Sequence, residues 1–303
     1  MNIKGAVVNL APAPLVKLFA GPYVAGDSID AAIKTAQDFW ENRKVCSTID
    51  LLGEELDNDE EVAYTVGLYK RLIDALGSQE YATISMKPTQ LGSHRGTGNC
   101  RNIIEEIVAY AERHRIPVTL DMENHPFTDM TLEIFKAVKQ NHPSFGTVLQ
   151  SRLFRTDKDI QSIKGLEARI RLCIGIYNES KEIALQSKPK MKKKMLEQLK
   201  VLFEDGHYPE IATHDEAVLR EAIDIAERLN MKKDRYEVQM LMGVPMQAFQ
   251  DELIRNGVRV RLYVPFAEAW KYATAYAKRR LAANPAMALY IAKNIANKLR
   301  GKH

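Results

Sequence analysis

The sequence is short of the features that mark secreted, membrane-spanning or nucleic-acid-binding chains. Its 3 cysteines, Cys46, Cys100 and Cys173, are odd in number and show no CxxC spacing, which argues against a disulfide framework or a zinc site. They fit a reducing, cytoplasmic setting. No run approaches the roughly 18 apolar residues of a membrane-spanning helix. Residues 1–26 are mildly apolar, but Asn9, Pro12, Pro14 and Lys17 interrupt them, so no secretory signal is expected. A formal net charge of +4 on 303 residues is small, and a dedicated nucleic-acid binder would show a strong basic face. No nucleic-acid partner is expected. No Gly-rich or Pro-rich linker cuts the chain, so residues 1–303 read as one catalytic domain.

What is present is a large apolar fraction, 46%, beside 27% charged residues, enough to bury a core and remain solvated. After a helical segment at 29–42, short β-like runs alternate with longer helical ones. Strands are expected at 45–51, 81–86, 118–121, 145–149, 168–173, 210–213, 236–240 and 258–263. Helices are expected at 60–76, 99–115, 130–141, 157–163, 191–204, 215–229, 245–256 and 266–282. Such alternation implies parallel strands with crossover helices, and eight units imply an α/β fold of the (β/α)8 TIM-barrel type. An open doubly wound sheet is the fallback. The parts are then an N-terminal helical segment over about 1–43, a barrel over about 44–283 and a final helix over about 285–299. In 216–229, Val218, Leu219, Ala222, Ile225, Ala226 and Leu229 share one helix face; Thr213 or Asp215 would cap it and Asn230 would stop it.

Barrel enzymes place their chemistry at the C-terminal ends of the strands. Here strand one runs into Glu54, strand two into Lys87, strand three into Asp121 and strand four into Gln150. Arg171 lies within strand five, Thr213 and His214 end strand six, Gln239 lies in strand seven, and Tyr263 ends strand eight. Any one of these could simply mark where a strand leaves the core. Together they describe a convergent polar mouth, the default active site. Lys87 and Asp121, on neighbouring strands, could orient an anionic substrate or form a structural ion pair. Arg279 and Arg280 read either as charge placed near a helix C-terminus or as a double guanidinium clamp on a carboxylate.

Other features carry less. The segment HRGTGNC contains Gly96 and Gly98 but lacks a full GxGxxG or a Walker lysine, so it reads as a βα loop, with a lid role open. His94, His114, His125 and His142 have no metal-ligand spacing and read as surface or loop residues; no metal is expected. Met240 and Met242 read as packing at the mouth, and Cys173 as inert core. The basic run Lys190, Lys192, Lys193 and Lys194 reads first as a solvated helix face, with attraction to a cofactor pyrophosphate or an anionic membrane surface as further options.

A set of fragments then appears in register: YVAGDSIDAAI, TIDLLGEEL, SMKPTQLG, VTLDMENH, VLQSRLFRT, IRLCIGIY, IATHDEAV, YEVQMLMGV, VRLYVPF and KRRLAANP. Together, over residues 23–285, they resemble the FAD-dependent proline dehydrogenase family. The resemblance implies a distorted (β/α)8 barrel that oxidises L-proline to 1-pyrroline-5-carboxylate by hydride transfer to FAD. It implies that Arg279, Arg280 and Lys87 hold the substrate carboxylate and that Asp121 supports Lys87 and the flavin edge. Leu241 and Tyr263 would wall the ring, and Glu54 would pair with an arginine. Arg171 would lie near the reactive flavin nitrogen, Gln150 would contact the ring system, and Thr213, His214 and Gln239 would contact other parts of FAD. Lys87, Asp121 and Arg171 are the implied catalytic set. The acceptor implied is a membrane quinone, which adds peripheral contact with the inner membrane surface to a cytoplasmic location. A separate pyrroline-5-carboxylate dehydrogenase would consume the product. The chain departs from the family pattern at Ile174 and Ala283, where a lysine and a glutamate are usual, and between Trp270 and Arg279, where it is a few residues longer. Those departures keep two alternatives in view: oxidation of a related cyclic amino acid such as hydroxyproline, and a non-catalytic barrel with weak FAD binding.

Overall fold

The computed structural model describes residues 21–53, 55–268, 272, 273 and 276. Its 8 strands close into one parallel barrel in sequence order, with the last paired to the first. They are β1 Cys46–Leu51, β2 Ala82–Met86, β3 Val118–Leu120, β4 Gly146–Gln150, β5 Arg169–Cys173, β6 Tyr208–Ala212, β7 Glu237–Leu241 and β8 Arg259–Phe266. Helix α1, Ile29–Arg43, precedes β1. After β1 to β7 come, in turn, α2 Asp59–Leu76, α3 Thr97–Arg113, α4 Thr128–Lys139, α5 Thr156–Ser162, α6 Lys188–Glu204, α7 Glu216–Arg228 and α8 Gln247–Arg255.

The strand period of two explains how this sequence fills both sides of its barrel wall. One parity is apolar: Ile84 and Met86, Ile170 and Leu172, Val260, Leu262 and Val264 join helix residues such as Leu72, Ile104, Phe135 and Leu219 in one cluster. Each such side chain contributes about 1.5–3 kcal/mol when fully buried. The other parity is polar and turns to the barrel axis. Arg169 and Arg171, Glu237 and Gln239, and Arg261 and Tyr263 alternate with those apolar residues along β5, β7 and β8. Barrel interiors are usually filled by layers of branched apolar residues. This one is filled by hydrogen-bonded charge.

The helix ends follow local chemistry. Ser28 accepts from the Ala31 amide at 3.2 Å to start α1, and Asn58 accepts from Glu61 at 2.8 Å to start α2. Of the two caps considered for α7, Asp215 is the one used, accepting from Val218 at 3.1 Å. Asn230 takes the left-handed conformation just past that helix, φ 53°.

Two strand boundaries differ by more than one residue from the sequence expectation. Strand β6 begins at Tyr208 rather than 210, because Tyr208 N–H donates to Ala168 O at 2.9 Å and pairing with β5 has already started. Strand β8 continues to Phe266 rather than stopping at 263, since Val264, Pro265 and Phe266 stay in register with Ile49, Asp50 and Leu51 of β1. The helix expected at 266–282 therefore cannot start at Phe266, and most of it, like the 285–299 helix, lies outside the described residues. The HRGTGNC segment forms a short 3-10 turn, Ser93–Arg95, and then the first turns of α3.

Candidate active site

Six strands deliver polar groups to the C-terminal half of the barrel. Asp50 comes from β1, Ser85 from β2 and Arg171 from β5, while Gln239 and Tyr263 come from β7 and β8. Lys87 and Asp121 stand one residue beyond β2 and β3. Asp50, Lys87, Asp121 and Arg171 are 1%, 7%, 8% and 6% exposed, so these are buried charges that survive only as a mutually satisfied set.

Asp121 is the hub. Its Oδ1 accepts from Arg171 at 2.7 Å and from the Ser85 hydroxyl at 3.0 Å. Its Oδ2 accepts from the Tyr263 hydroxyl at 2.6 Å and lies 3.4 Å from Lys87 Nζ. The Lys87–Asp121 pair anticipated from sequence is thus present, but it is the longer of two: Lys87 donates to Asp50 at 2.5 Å. The Arg171 guanidinium also lies over the Tyr263 ring, 5.1 Å from its centroid, a cation–π contact that fixes the ring face.

The two carboxylates divide in character. Burial pushes the Asp50 carboxyl up to about 6, with Lys87 only partly offsetting it. Burial would also raise Asp121, but the charges of Lys87 and Arg171 and the hydroxyl bonds outweigh it, so Asp121 is held below the usual carboxylate range. For Lys87, burial is opposed and overcome by Asp50, Tyr263 and Asp121, which keep the ammonium protonated. Burial and the neighbouring carboxylates push the Tyr263 phenol well up, so it remains a donor.

Beneath this layer lies a second one. Arg171 Nε donates to Gln239 Oε1 at 2.6 Å, and Gln239 Nε2 donates to Glu210 and Glu237 at 2.6 and 2.8 Å. Arg261 holds Glu237 through two bonds of 2.6 and 3.2 Å, and Arg169 lies 2.5 Å from Glu210. Burial opposes ionisation of Glu237, but Arg261 and Arg169 win and hold its carboxyl far below the usual range. Gln239 is therefore a coupler whose amide faces the lower layer, and it reaches the mouth through Arg171.

The remaining expected residues occupy the rim. Gln150 donates from Nε2 to Glu123 O at 2.8 Å, while its Oε1 is buried without a partner. Gly175, at φ 105°, stands against that oxygen; a Cβ there would lie 2.5 Å from Oε1, so only glycine leaves room for the carbonyl. Thr213 Oγ1 accepts from the Asp215 amide at 3.2 Å, and His214 Nε2 accepts from the Leu241 amide at 2.9 Å. Leu241 is half-buried and is the β-register partner of Tyr263, so the two form one wall. Cys173 is half-buried at the end of β5 rather than sealed in the core. Glu54, Arg279, Arg280 and Ala283 lie outside the described residues. Among the described residues no group of His, Cys, Asp and Glu could hold a metal ion. A surface concavity of about 590 Å³ runs between α4 and α5 past Lys136 and Arg155 and touches none of this machinery.

A sequence model of the family described as proline dehydrogenase matches residues 32–292. The chain belongs to the proline dehydrogenase family. It is 31% identical to proline dehydrogenase 1 of Bacillus subtilis subsp. natto over 294 residues, 96% of this chain and 95% of that one. Proline dehydrogenase of Deinococcus radiodurans is 30% identical over 308 positions, covering 96% of each. Among solved structures, proline utilization A from Bdellovibrio bacteriovorus superposes with a TM-score of 0.79 at 23% identity, over 87% of this chain and 32% of that chain. A variant of the Bradyrhizobium japonicum protein gives 0.74 at 18% identity, over 86% and 30%. At such identities the superposition establishes the barrel fold alone, and the chain spans about a third of the length of those proteins.

Asp50, Ser85, Gln90, Glu123, Arg169, Glu210, Glu237 and Arg261 escape the sequence reading. A usable signal is present for several of them: charge at every second position of strands that a barrel buries on both faces, as in Arg169-Ile170-Arg171 and Arg259-Val260-Arg261. Gln90 carries no such mark. Its amide donates to Leu51 O and Gly53 O at 2.8 and 2.7 Å and accepts from Tyr69 at 2.8 Å, fixing the loop that follows β1.

Proposed function

We propose that the barrel mouth oxidises L-proline to 1-pyrroline-5-carboxylate with FAD as the bound redox group. The supporting observation is the buried cluster of Lys87, Asp50, Asp121, Arg171 and Tyr263 at the strand C-termini, in a chain belonging to this family. Gln150 and Arg171 fit a flavin. The Gln150 carbonyl is a buried acceptor in need of a donor, as the imide N–H of an isoalloxazine would supply, and Arg171 offers fixed positive charge. Thr213 and His214, at the end of β6, are assigned to the rest of the cofactor. Bound FAD supplies the two-electron acceptor for the ring carbon next to nitrogen.

The chain's own residues bind and orient. Lys87 meets the substrate carboxylate, joined in this assignment by Arg279 and Arg280, with Glu54 pairing one arginine. Tyr263 and Leu241 flank the pyrrolidine ring and exclude water. Positive charge develops on the ring nitrogen as the carbon is oxidised, and ionised Asp121 and Asp50 lower the energy of that charge. Asp121 also keeps Lys87, Arg171 and Tyr263 in one geometry, so the substrate meets a mouth already organised.

A membrane quinone as electron acceptor and a separate pyrroline-5-carboxylate dehydrogenase as consumer of the product complete the proposal. No helix among the described residues is long and apolar enough to cross a membrane. The lysines of α6 lend contact with a membrane surface little support: Lys192 pairs with Asp215, and Lys194 with Asp157 at 2.6 Å, as on a solvated face.

The test is to purify the protein with FAD, exclude oxygen, add L-proline and follow the visible absorption of the oxidised flavin. Bleaching is expected. Bound flavin that stays oxidised would overturn the substrate assignment, and protein that retains no flavin would overturn the cofactor assignment.

A further inference from the structure

Residues 21–28, just ahead of α1, lie at the C-terminal side of the barrel. Gly21–Tyr23 forms a single 3-10 turn with Tyr23 and Val24 each 4% exposed. The next two residues zip onto the end of β8: Ala25 N–H donates to Pro265 O at 2.8 Å, and Ala267 N–H donates to Gly26 O at 3.1 Å. The turn itself presses on the loop after β7. At Gly243, φ 85°, a Cβ would lie 2.3 Å from Pro22 O and 2.9 Å from Tyr23 Cδ1. Both the backbone conformation and the approach therefore demand glycine.

Gly243 is two residues past Leu241. The intervening Met242 donates its N–H to Tyr263 O at 3.1 Å, and Leu241 hangs from His214. Pro265, on which the segment zips, is two residues past Tyr263 on the same face of β8. On its other side Tyr23 neighbours the buried Tyr276, close enough to add to the ionisation cost that burial already sets on the Tyr23 phenol. One short strap thus braces the β7 loop, the exit of β8 and the start of the segment beyond it.

We infer that the strap 22–26 is a positioning element for the ring wall, fixing how the β7 and β8 ends that carry Leu241 and Tyr263 stand at the mouth, and so the affinity for the cyclic substrate. This rests on the reading of Leu241 and Tyr263 as walls of the proline site. A merely structural strap would contribute stability and leave the site alone. A positioning strap moves KM while the electron-transfer step, once substrate is seated, is little changed.

The experiment uses the full chain loaded with FAD. Gly243→Ala forces the strap off the β7 loop, Tyr23→Ala removes the ring that fills the contact, and Tyr23→Phe restores the ring without the hydroxyl. Anaerobic flavin bleaching is titrated with L-proline for each, and bound FAD is measured by absorbance. Gly243→Ala and Tyr23→Ala should raise the proline concentration for half-maximal bleaching rate roughly tenfold, leave the limiting rate within about twofold and retain flavin, while Tyr23→Phe returns to the parent value. Unchanged half-saturation in both Gly243→Ala and Tyr23→Ala overturns the inference, as does an equal loss in Tyr23→Phe. If Gly243→Ala fails to fold, the two Tyr23 variants decide alone. Parent protein that binds flavin but is not bleached by proline would instead sink the underlying substrate assignment.

Discussion

Replacing Asp121 by asparagine is the most demanding test of the buried network, because the two side chains have almost the same shape. In the parent both oxygens accept: Oδ1 from Arg171 and Ser85, Oδ2 from Tyr263 and Lys87. An amide has one acceptor oxygen, so whichever way the substituted side chain flips, its NH2 faces one cation and one hydroxyl donor. Breaking a buried ion pair by removing one partner costs about 3–5 kcal/mol. Two circumstances put this case near the lower limit: Lys87 keeps Asp50 at 2.5 Å, and Arg171 keeps Glu210 at 3.6 Å. A loss of about 3 kcal/mol corresponds to a fall in Tm of roughly 6 °C for a domain this large. Thermal unfolding followed by circular dichroism measures it. Anaerobic bleaching with L-proline should show a higher half-saturating concentration as Lys87 and Tyr263 lose their common anchor, and a slower limiting rate as the developing ring cation loses its carboxylate. An Asp121→Asn variant melting within about 2 °C of the parent, with an unchanged proline titration, would refute the claim that Asp121 organises the mouth.

Asp50 gives a pH prediction. Its folded-state carboxyl is raised to about 6 by burial, so the folded chain holds this proton where the unfolded chain, at the ordinary value of 3.8, releases it. Stability from this group is present in acid and declines as pH rises from about 4 to 6, by about 3 kcal/mol in all. Asp50→Asn should therefore gain on the parent by that amount across this window, up to about pH 6.5, in denaturant titrations; parallel pH curves would contradict it. In the parent, kcat/KM for L-proline should rise as pH increases through about 6, and in Asp50→Asn that limb should vanish. Gln150→Met should weaken FAD binding roughly 2- to 10-fold by equilibrium dialysis, the effect of losing one net hydrogen bond; equal retention would remove Gln150 from the cofactor site. Tyr263→Ser, which opens the ring wall, should admit hydroxyproline and bleach the flavin with it; inactivity towards that substrate alone would count against Tyr263 as the discriminating wall.

The architecture is legible in the sequence because it rests on local pattern. Apolar runs and amphipathic segments alternate at a spacing that parallel strands with crossover helices satisfy, and what the pattern misses is the end of β8, which carries Pro265. It is tolerated there, paired in register with Asp50. Arg171 and Gln239 are legible inside strands because they interrupt apolar runs, and the rest of the site is legible where its residues end strands. Lys87, Asp121 and Gln150 do so, and the structure brings the first two together with Arg171 and Tyr263. Asp50 is not: it follows the polar Ser47 and Thr48 in β1, and the period-two parity that turns it inward is visible only once closure is known. The lower layer is hidden for the same reason: Glu210 and Glu237 acquire meaning from Arg169 and Arg261, and those pairings are tertiary.

Arg171 spans the barrel from β5 to Asp121 and Ser85, carboxylate and hydroxyl supplied by the β1–β3 side, and Tyr263 reaches the same carboxylate from β8. The anions of the mouth are thus supplied by the first half of the chain and its guanidinium by the second. In an arc of strands that has not yet curled round, Asp121 keeps Lys87 but lacks Arg171 and Tyr263, and Arg171 keeps only Glu210 and Gln239. Ring closure and completion of the Asp121 cluster are consequently one event. A chain refolding from denaturant should regain its proline-reducible flavin only in the last kinetic phase, together with the pairing of β8 to β1, however early its helices return.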